Sequence, residues 1–268
     1  MKQRYLESLK SNQMRSSNIV NPKVTLVGAG PGDVDLITVK GLKSIRSANV
    51  ILYDALVNEE LLKNAPNAKH IFVGKRKGFK SFSQEDINLL IVENAFKYGN
   101  VVRLKGGDSF VFGRGFEELQ YVEAFGVKTD VVPGISSSIS VPALAGIPVT
   151  HRNLSNSFYV LTGTLSDGSF NPEIRNAVNS NSTVVILMGL SKIADICQLY
   201  KENSRGETSI AVVSNGSLSS QVTVKGLISN IENKIYNKKI KTPAVILIGD
   251  VVDLQNKYDS ILTEVLNK

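Results

Sequence analysis

The chain has 268 residues, of which 42% are hydrophobic and 21% charged, and this balance suits one large or two medium-sized globular domains. Its formal net charge of +7 is compatible with an acidic ligand and equally with an ordinary hydrated surface. A single cysteine, Cys197, excludes an internal disulfide framework and is predicted to be a packed side chain. The two histidines, His70 and His151, lie too far apart in sequence to suggest a metal site, so we expect no metal cofactor.

The N-terminal residues 1–20 are predicted to be an extension outside the folded domains. Charges occur throughout this segment, and it lacks the apolar core of a signal peptide. No apolar run in the chain approaches the roughly 20 residues that a membrane helix needs. We therefore expect a cytoplasmic protein with no membrane partner.

Short apolar strands alternate with helical segments through the first half of the chain. Val24–Val27 ends in the glycine-rich loop GAGPGD, and the strand NVILYD ends at Asp54. Ser83 is predicted to begin a helix, because its hydroxyl can cap the first turn together with Asp86 three residues later. The alternation predicts an α/β domain, residues 21–150, with a mainly parallel sheet of about five strands.

The run Ile147–Arg152, with its proline and the polar residues after it, interrupts this pattern and predicts a domain boundary after Thr150. Four apolar runs that end in glycine follow: SFYVLTG, STVVILMG, SIAVVSNG and TPAVILIG. QVTVKGL alternates like a strand exposed on one face, so residues 151–268 are predicted to form an α/β domain with a mixed sheet. Glycines at many strand ends indicate a ligand in the cleft between the two domains.

The segment 101–118, VVRLKGGDSFVFGRGFEE, carries the strongest local signal for a binding site. A strand ends at Gly106 and Gly107, where the absence of a Cβ lets the backbone approach a ligand closely. Arg103, Lys105 and Arg114 place positive charge nearby. These residues predict a strand-end loop that binds a small polar ligand.

Three interpretations of the loop GAGPGD can be compared, and its residues exclude one of them. A dinucleotide fingerprint requires a glycine where this chain has Asp33, although Asp54 at the end of the next strand imitates the ribose-binding acid. No Lys-Ser or Lys-Thr pair is present to form a phosphate-binding P-loop. A tight turn without any ligand is the third interpretation.

Five segments in the same order resemble one family: GAGPGDVDLITVKGL, VGKRKG, VVRLKGGDSFVFGRGFEE, VVPGISSSISVPALAGIPVTHR and TPAVILIGDVV. Together they resemble the tetrapyrrole (class III) methyltransferases over about residues 22–255. The pair KGGDSFVFGRG and GIPVTHR resembles the branch of that family that acts on uroporphyrinogen.

The resemblance implies a homodimer of two α/β domains that binds S-adenosylmethionine in a folded conformation between them. It implies cofactor contacts from ten residues: Pro31, Gly106, Gly107, Asp108, Val111, Ser136, Ser137, Met188, Gly216 and Ala244. For Met188 the ordinary alternative is a core side chain. A small-molecule tetrapyrrole is the expected partner, and no nucleic acid is expected.

The reaction implied by the resemblance is transfer of two methyl groups to C-2 and C-7 of uroporphyrinogen III, which gives precorrin-2 for sirohaem or cobalamin synthesis. Asp54 is a candidate for removing a proton or orienting the substrate, with a structural strand-end acid as the alternative. The eight carboxylates of that substrate require cations near the loops. The candidates are Arg76, Lys77, Arg103, Lys105, Arg114 and Arg152.

Four positions depart from the family pattern. Ser109 replaces a proline, Phe116 a glycine, and Thr164 and Lys80 each a histidine. Phe116 brings a bulky ring into a glycine-rich loop, which keeps a non-catalytic, cofactor-binding homologue among the alternatives. The others are a class III enzyme acting on a later corrinoid precursor, diphthamide or ribosomal RNA, and an NAD-binding oxidoreductase.

Overall fold

The computed structural model describes residues 21–74 and 82–254, and the predicted extension 1–20 lies outside them. The chain forms two compact units, one ending at Ser136 and the other beginning at Ser137. This division falls before the boundary predicted after Thr150, because the helix Ser137–Leu144 packs against the strand Ala244–Ile248 of the second unit.

The first unit is built on a five-stranded sheet in the order β3-β2-β4-β1-β5. Its strands are β1 (Lys23–Gly28), β2 (Val50–Tyr53), β3 (Lys69–Phe72), β4 (Asn100–Lys105) and β5 (Lys128–Val132). Its helices are α1 (Val39–Arg46), α2 (Gln84–Tyr98) and α3 (Gly115–Glu123), with 3-10 turns at Val34–Leu36 and Glu59–Asn64. Every pair of neighbouring strands is parallel, which confirms the predicted parallel α/β unit.

Helix α2 begins where the sequence predicts. The Ser83 hydroxyl accepts a hydrogen bond from the Asp86 amide, and the Asp86 carboxylate accepts one from the Ser83 amide. This reciprocal pair satisfies two amides that the first helical turn leaves without intrahelical partners. The helix ends at Gly99, whose φ of 87° is accessible at little cost only to glycine.

Strand β4 crosses the middle of the first sheet and divides its side chains between the two faces. Val101 packs in a cluster with residues of α2 on one face, and Val102 and Leu104 pack in a separate cluster on the other. Because side chains alternate along a strand, Arg103 and Lys105 share the face of Val101. Both cations therefore lie beneath helices α2 and α3.

The second unit contains a mixed sheet in the order β6-β7-β10-β8-β9, as predicted. Its strands are β6 (Phe158–Thr162), β7 (Thr183–Leu187), β8 (Ser209–Ser214), β9 (Val222–Leu227) and β10 (Ala244–Ile248). Its helices are α4 (Ser137–Leu144), α5 (Ile174–Val178), α6 (Ile193–Glu202) and α7 (Ile231–Asn237), with 3-10 turns at Leu190–Lys192 and Asp250–Asp253. Strands β6 and β7 are parallel, and the other neighbours are antiparallel.

Cys197 lies on α6 in the main core cluster of the second unit. Its side chain is fully buried, and burial raises the pKa of the thiol to about 12. The prediction of a packed cysteine is confirmed. In the part of the chain that the structure describes, no helix has the length and apolar character needed to cross a membrane.

Candidate functional site

The strands of the first sheet are parallel, so their carboxyl ends meet at a single edge. We call this the first edge. It consists of the segments that follow β1, β2, β4 and β5: residues 28–33, Asp54, residues 106–108 and residues 133–134. The sequence-predicted residues Pro31, Gly106, Gly107, Asp108 and Asp54 are therefore brought to one place by the parallel topology.

Four glycines hold the loops of the first edge in backbone contact. Gly30 and Gly107 exchange amide–carbonyl hydrogen bonds, with the Gly107 amide donating to the Gly30 carbonyl at 2.7 Å. A Cβ on Gly28 would stand 2.5 Å from the Gly134 Cα, and one on Gly134 would stand 2.2 Å from the Gly107 carbonyl oxygen. Glycine is needed here for close packing of loop against loop, a requirement separate from the ligand approach that the sequence suggested.

Asp108 ties two of these loops together. One carboxylate oxygen accepts a hydrogen bond from the Phe110 amide at 2.8 Å, and the other accepts one from the Gly134 amide at 3.0 Å. Each carboxylate oxygen can accept more than one hydrogen bond. The cofactor contact predicted for Asp108 is thus compatible with this structural role.

A network of four charged side chains lies directly beneath the first edge, and we call it the buried quartet: Asp54, Arg103, Lys105 and Glu118. Arg103 Nη2 donates to Asp54 Oδ1 at 2.6 Å, and its Nε and Nη2 both donate to the Glu118 carboxylate, at 3.1 and 3.2 Å. Lys105 Nζ donates to Glu118 Oε1 at 3.0 Å and lies 3.6 Å from Asp54 Oδ2. Two cations face two anions, so the quartet is electrically neutral.

Arg103 and Lys105 are buried within the quartet, whereas binding of a substrate carboxylate would require exposed cations. Their exposed fractions are 2% and 6%, and both head groups are directed to carboxylates of this chain. Burial lowers the pKa of Arg103, but the charges of Asp54 and Glu118 outweigh it and raise the pKa overall, so the guanidinium stays charged. Asp54 is the accessible member, with 27% of its side chain exposed.

Arg114 is an exposed cation near the first edge. It precedes α3 with a φ of 58°, and its Nε donates to Glu117 Oε2 at 3.0 Å. This hydrogen bond raises the pKa of Arg114 and lowers that of Glu117. The guanidinium is therefore accessible and permanently charged, as a carboxylate-binding residue must be.

Exposed aromatic rings surround the start of α3. Phe116 is 61% exposed and meets Phe110 edge to face, with ring centroids 6.3 Å apart. Phe112 is also exposed and has a φ of 51°. Phe116 therefore projects from the first helical turn and does not fill the interior of the loop.

Ser109, the replacement for a proline, is buried to 2% exposure. Its hydroxyl has no hydrogen-bond partner among the described residues. Its carbonyl accepts a hydrogen bond from the Gly115 amide at 3.1 Å, which shapes the turn into α3. Of the remaining predicted positions in this unit, Pro31, Val111 and Ser136 are half-buried.

A second group of predicted residues lies at one edge of the mixed sheet, which we call the second edge. Strand β10 runs antiparallel to both β7 and β8, so its first residue, Ala244, lies at the edge where those strands end. Met188 follows β7 and Gly216 follows β8, and the Asn215 amide donates to the Pro243 carbonyl at 3.0 Å. Topology thus places Met188, Gly216 and Ala244 on the same edge.

Met188 is not a core residue. Its side chain is 52% exposed, and its backbone has a φ of 52°, a conformation that side-chain-bearing residues seldom adopt. The Thr164 hydroxyl donates to the Met188 carbonyl at 2.7 Å and supports this geometry. Strained, exposed residues of this kind occur preferentially at functional sites.

The other predicted residues lie away from the two edges or outside the residues that the structure describes. Ser137 is the half-buried first residue of α4, and Arg152 is exposed in the second unit. Arg76, Lys77 and Lys80 lie outside the described residues. Within residues 21–74 and 82–254, no group of three or more His, Cys, Asp or Glu side chains is arranged to hold a metal ion.

Glu118 is the residue that sequence reasoning missed. Its signal was present: an acidic residue in the first turn of a helix, shortly after a strand with cations at alternate positions. Two cations on one face of a central strand require buried counter-charges. The helix after that strand is the natural source of one.

The sequence model of one protein family, the tetrapyrrole (corrin/porphyrin) methylases, matches residues 23–232 of this chain. The chain belongs to this family. Membership favours the family resemblance of the GAGPGD segment over its interpretation as a dinucleotide-binding loop.

This methylase is similar to proteins with more specific names. It is 44% identical to a uroporphyrinogen-III C-methyltransferase of Methanocaldococcus jannaschii, over 87% of this chain and 97% of that protein. It is 42% identical to a siroheme synthase of Actinobacillus pleuropneumoniae, covering 93% of this chain and 51% of the synthase. The chain therefore spans about half the length of that relative.

A solved structure shows the same fold as the methylase. It is a uroporphyrin-III C-methyltransferase of Thermus thermophilus in complex with S-adenosylhomocysteine, 34% identical, with a TM-score of 0.75. The match covers 87% of this chain and 94% of that one. The resemblance stated from five sequence segments is confirmed at the level of family and fold.

Proposed function

We propose that the protein transfers two methyl groups from S-adenosylmethionine to C-2 and C-7 of uroporphyrinogen III, giving precorrin-2 for sirohaem or cobalamin synthesis. The observation that carries the proposal is the 44% identity to a uroporphyrinogen-III C-methyltransferase over 97% of that protein's length. The match to the siroheme synthase covers only half of that enzyme, so no further activity of the synthase is proposed here.

The described residues offer S-adenosylmethionine both apolar surface and a carboxylate that can accept hydrogen bonds. The second edge offers the exposed Met188 thioether together with Gly216 and Ala244, which add little bulk. The segments of the first edge and the residues just after them offer three half-buried residues: the apolar Pro31 and Val111, and Asp108 with its carboxylate. We propose the ten predicted positions as cofactor contacts: Pro31, Gly106, Gly107, Asp108, Val111 and Ser136 in the first unit, and Ser137, Met188, Gly216 and Ala244 in the second.

When bound, the cofactor supplies a methyl group already activated by its sulfonium charge. The chain therefore needs neither a nucleophile nor a metal of its own, and its tasks are alignment of the reactants and removal of a proton from the macrocycle. Asp54 is the proposed acceptor, since it is an accessible acid of the first edge and its carboxylate is held in place by Arg103.

Exposed arginines are proposed to bind the substrate's carboxylates. Arg114 is exposed, charged and oriented by Glu117 at the start of α3, and Arg152 is exposed in the second unit. Guanidinium groups suit this task because they bind carboxylates through two parallel hydrogen bonds. Arg103 and Lys105 contribute indirectly, through Asp54.

An anaerobic incubation of the protein with uroporphyrinogen III and methyl-labelled S-adenosylmethionine tests the proposal. We expect two labelled methyl groups per macrocycle and two equivalents of S-adenosylhomocysteine. Cofactor binding in a calorimetric titration, with no label in the macrocycle, would instead support a non-catalytic homologue. Label transferred only to a later corrinoid precursor would contradict the proposed substrate and show that the protein belongs to another branch of the family.

We further propose that the enzyme acts as a homodimer, as the family resemblance implies, and that it works in the cytoplasm. Light scattering coupled to size-exclusion chromatography tests the first part, with a mass of twice 29.1 kDa expected for the peak. A monomeric mass at micromolar concentration would contradict it.

A further inference from the structure

We propose that Glu118 is a positioning residue that sets the charge state and orientation of Asp54 through Arg103 and Lys105. The proposal rests on the proposed function, because it assigns the buried quartet to the proton-removal step. Glu118 is 1% exposed and therefore does not itself reach a ligand at the surface. Its effect on the reaction passes through the two cations that it shares with Asp54.

The geometry makes Arg103 a rigid link between the two carboxylates. Nε and Nη2 donate to the two oxygens of Glu118 along one edge of the guanidinium, and Nη2 also donates to Asp54. Nη1 donates to the Leu104 carbonyl at 3.3 Å. A guanidinium held at each of its three nitrogens cannot rotate freely, so Asp54 is presented at the first edge in a fixed orientation.

Glu118 is in turn held from more than one direction. Its Oε1 accepts hydrogen bonds from Arg103, from Lys105 and from Gln84 Nε2 of α2, the last at 3.0 Å. Gln84 also donates to the Asn88 side chain at 3.1 Å. The carboxylate is thus fixed between helices α2 and α3, whose positions are set by the core packing of the first unit.

The balance of charges in the quartet determines whether a substitution makes Asp54 a weaker or a stronger base. With Glu118 ionised, the charge of the two cations is shared between two carboxylates. Without it, both cations act on Asp54 alone, which favours the ionised form of Asp54 and makes it a weaker base. Removal of Lys105 has the opposite effect, because Glu118 and Asp54 then face a single cation.

Charged groups on the neighbouring elements have partners of their own, although Arg114 also feels the charge of Glu118, and Glu117 that of Lys105. On α3, Arg114 and Glu117 pair with each other at the surface. After β2, Glu60 pairs with Lys63 in the exposed turn. On β3, His70 Nε2 lies 2.9 Å from the Ala65 carbonyl oxygen, and from α2 the group that meets Glu118 is the neutral Gln84 amide.

The test compares four variants with the wild-type protein: Glu118→Gln, Lys105→Met, the charge-balanced double variant of both, and Glu60→Gln as a control for loss of an exposed carboxylate. The pKa of Asp54 is measured by carbon NMR of side-chain carboxyl groups, with Asp54→Asn to assign its signal. We expect it to fall by about one unit in Glu118→Gln and to rise by about one unit in Lys105→Met. It should return close to the wild-type value in the double variant and not move in Glu60→Gln.

Kinetics provide the second measurement. In Glu118→Gln we expect the kcat of methyl transfer to fall by up to about tenfold, the limit for a base whose pKa falls by one unit, with little change in the KM for uroporphyrinogen III. The acid limb of the pH profile should move to lower pH. A purely structural Glu118 would lower thermal stability without moving that limb.

The outcomes separate this proposal from the proposed function. If the wild-type protein methylates no tetrapyrrole, the NMR titration still decides whether Glu118 controls Asp54. If Glu118→Gln does not fold, Lys105→Met and the double variant carry the same test with their own expected signs. An Asp54 pKa that stays at the wild-type value in the single variants that fold, Glu118→Gln or Lys105→Met, overturns the proposal.

Discussion

The Gly134 amide donates a hydrogen bond of 3.0 Å to the Asp108 carboxylate, which joins the segment after β5 to the segment after β4. The other oxygen of the same carboxylate accepts from the Phe110 amide. One acidic side chain therefore fixes two loops of the first edge, and its substitution tests how much of that edge depends on it.

We expect Asp108→Asn to lower the free energy of unfolding by about 1.5–3 kcal/mol, because the amide nitrogen of asparagine cannot accept from a backbone N–H and one charge-assisted bond is lost. Urea denaturation measures the change. Asp35→Asn, at an exposed position, is the matched control and should change stability by no more than about 0.5 kcal/mol. Equal losses of stability in the two variants would contradict the conclusion that the Asp108 carboxylate holds the two loops together.

Gly134→Ala should damage the first edge by overpacking. The new Cβ would stand 2.2 Å from the Gly107 carbonyl oxygen, and backbone atoms cannot give way as a flexible side chain can. We expect a loss of about 3 kcal/mol or more of stability, measured by denaturation. Gly206→Ala is the control, since its Cβ would meet nothing closer than 3.8 Å, and it should be neutral or slightly stabilising.

Two buried serines with different surroundings form a matched pair. Ser109→Ala removes a hydroxyl that has no partner among the described residues, so we expect stability to rise by up to about 1 kcal/mol. Ser155→Ala removes a hydroxyl that donates to the Ser157 carbonyl and accepts from the Thr183 amide, so we expect a loss of about 1–3 kcal/mol. Thermal unfolding of both variants checks the contrast. Similar losses would show that the Ser109 hydroxyl is satisfied in solution.

Phe116 tests the cost of an exposed aromatic pair at a helix start. Phe116→Ala should lower stability by about 0.5–1.5 kcal/mol through loss of the edge-to-face contact with Phe110. Phe116→Gly should cost roughly 1 kcal/mol more, because glycine is the poorer helix former. Chemical denaturation distinguishes the two, and a glycine variant as stable as the wild-type protein would show that the ring contributes nothing.

The burial of Cys197 predicts both its reactivity and a pH dependence. Since burial raises the pKa of the folded thiol to about 12, the native protein should react with iodoacetamide at pH 8 only as fast as it unfolds. An unfolded thiol titrates near 8.5, so this group's contribution to stability is present below that pH and is lost as pH rises toward 12. Labelling that is fast under native conditions and insensitive to stabilising ligand would contradict the buried position.

Sequence by itself determined the alternation of strands and helices, the parallel first sheet, the mixed second sheet and the start of α2 at Ser83. These follow from local patterns: apolar periodicity, turn residues and a capping pair that acts over three positions. It also determined the family, because five ordered segments constrain the whole chain at once.

Only the tertiary structure decided what each charged or polar residue contacts. Arg103 and Lys105 looked like ligand-facing cations in sequence, yet the pleat of β4 turns both under α2 and α3, where Glu118 and Asp54 neutralise them. Gly106 and Gly107 were predicted to admit a ligand, but no such pattern indicated that Gly28 and Gly134 are required because loops from distant strands meet there. Met188 sits in an apolar run typical of a core, yet it follows the end of β7 with a positive φ and its side chain is exposed. Local patterns predict which residues form a helix or a strand. The contact partners of a side chain that lie far away in sequence depend on strand register and packing, and these are established only when the sheets assemble.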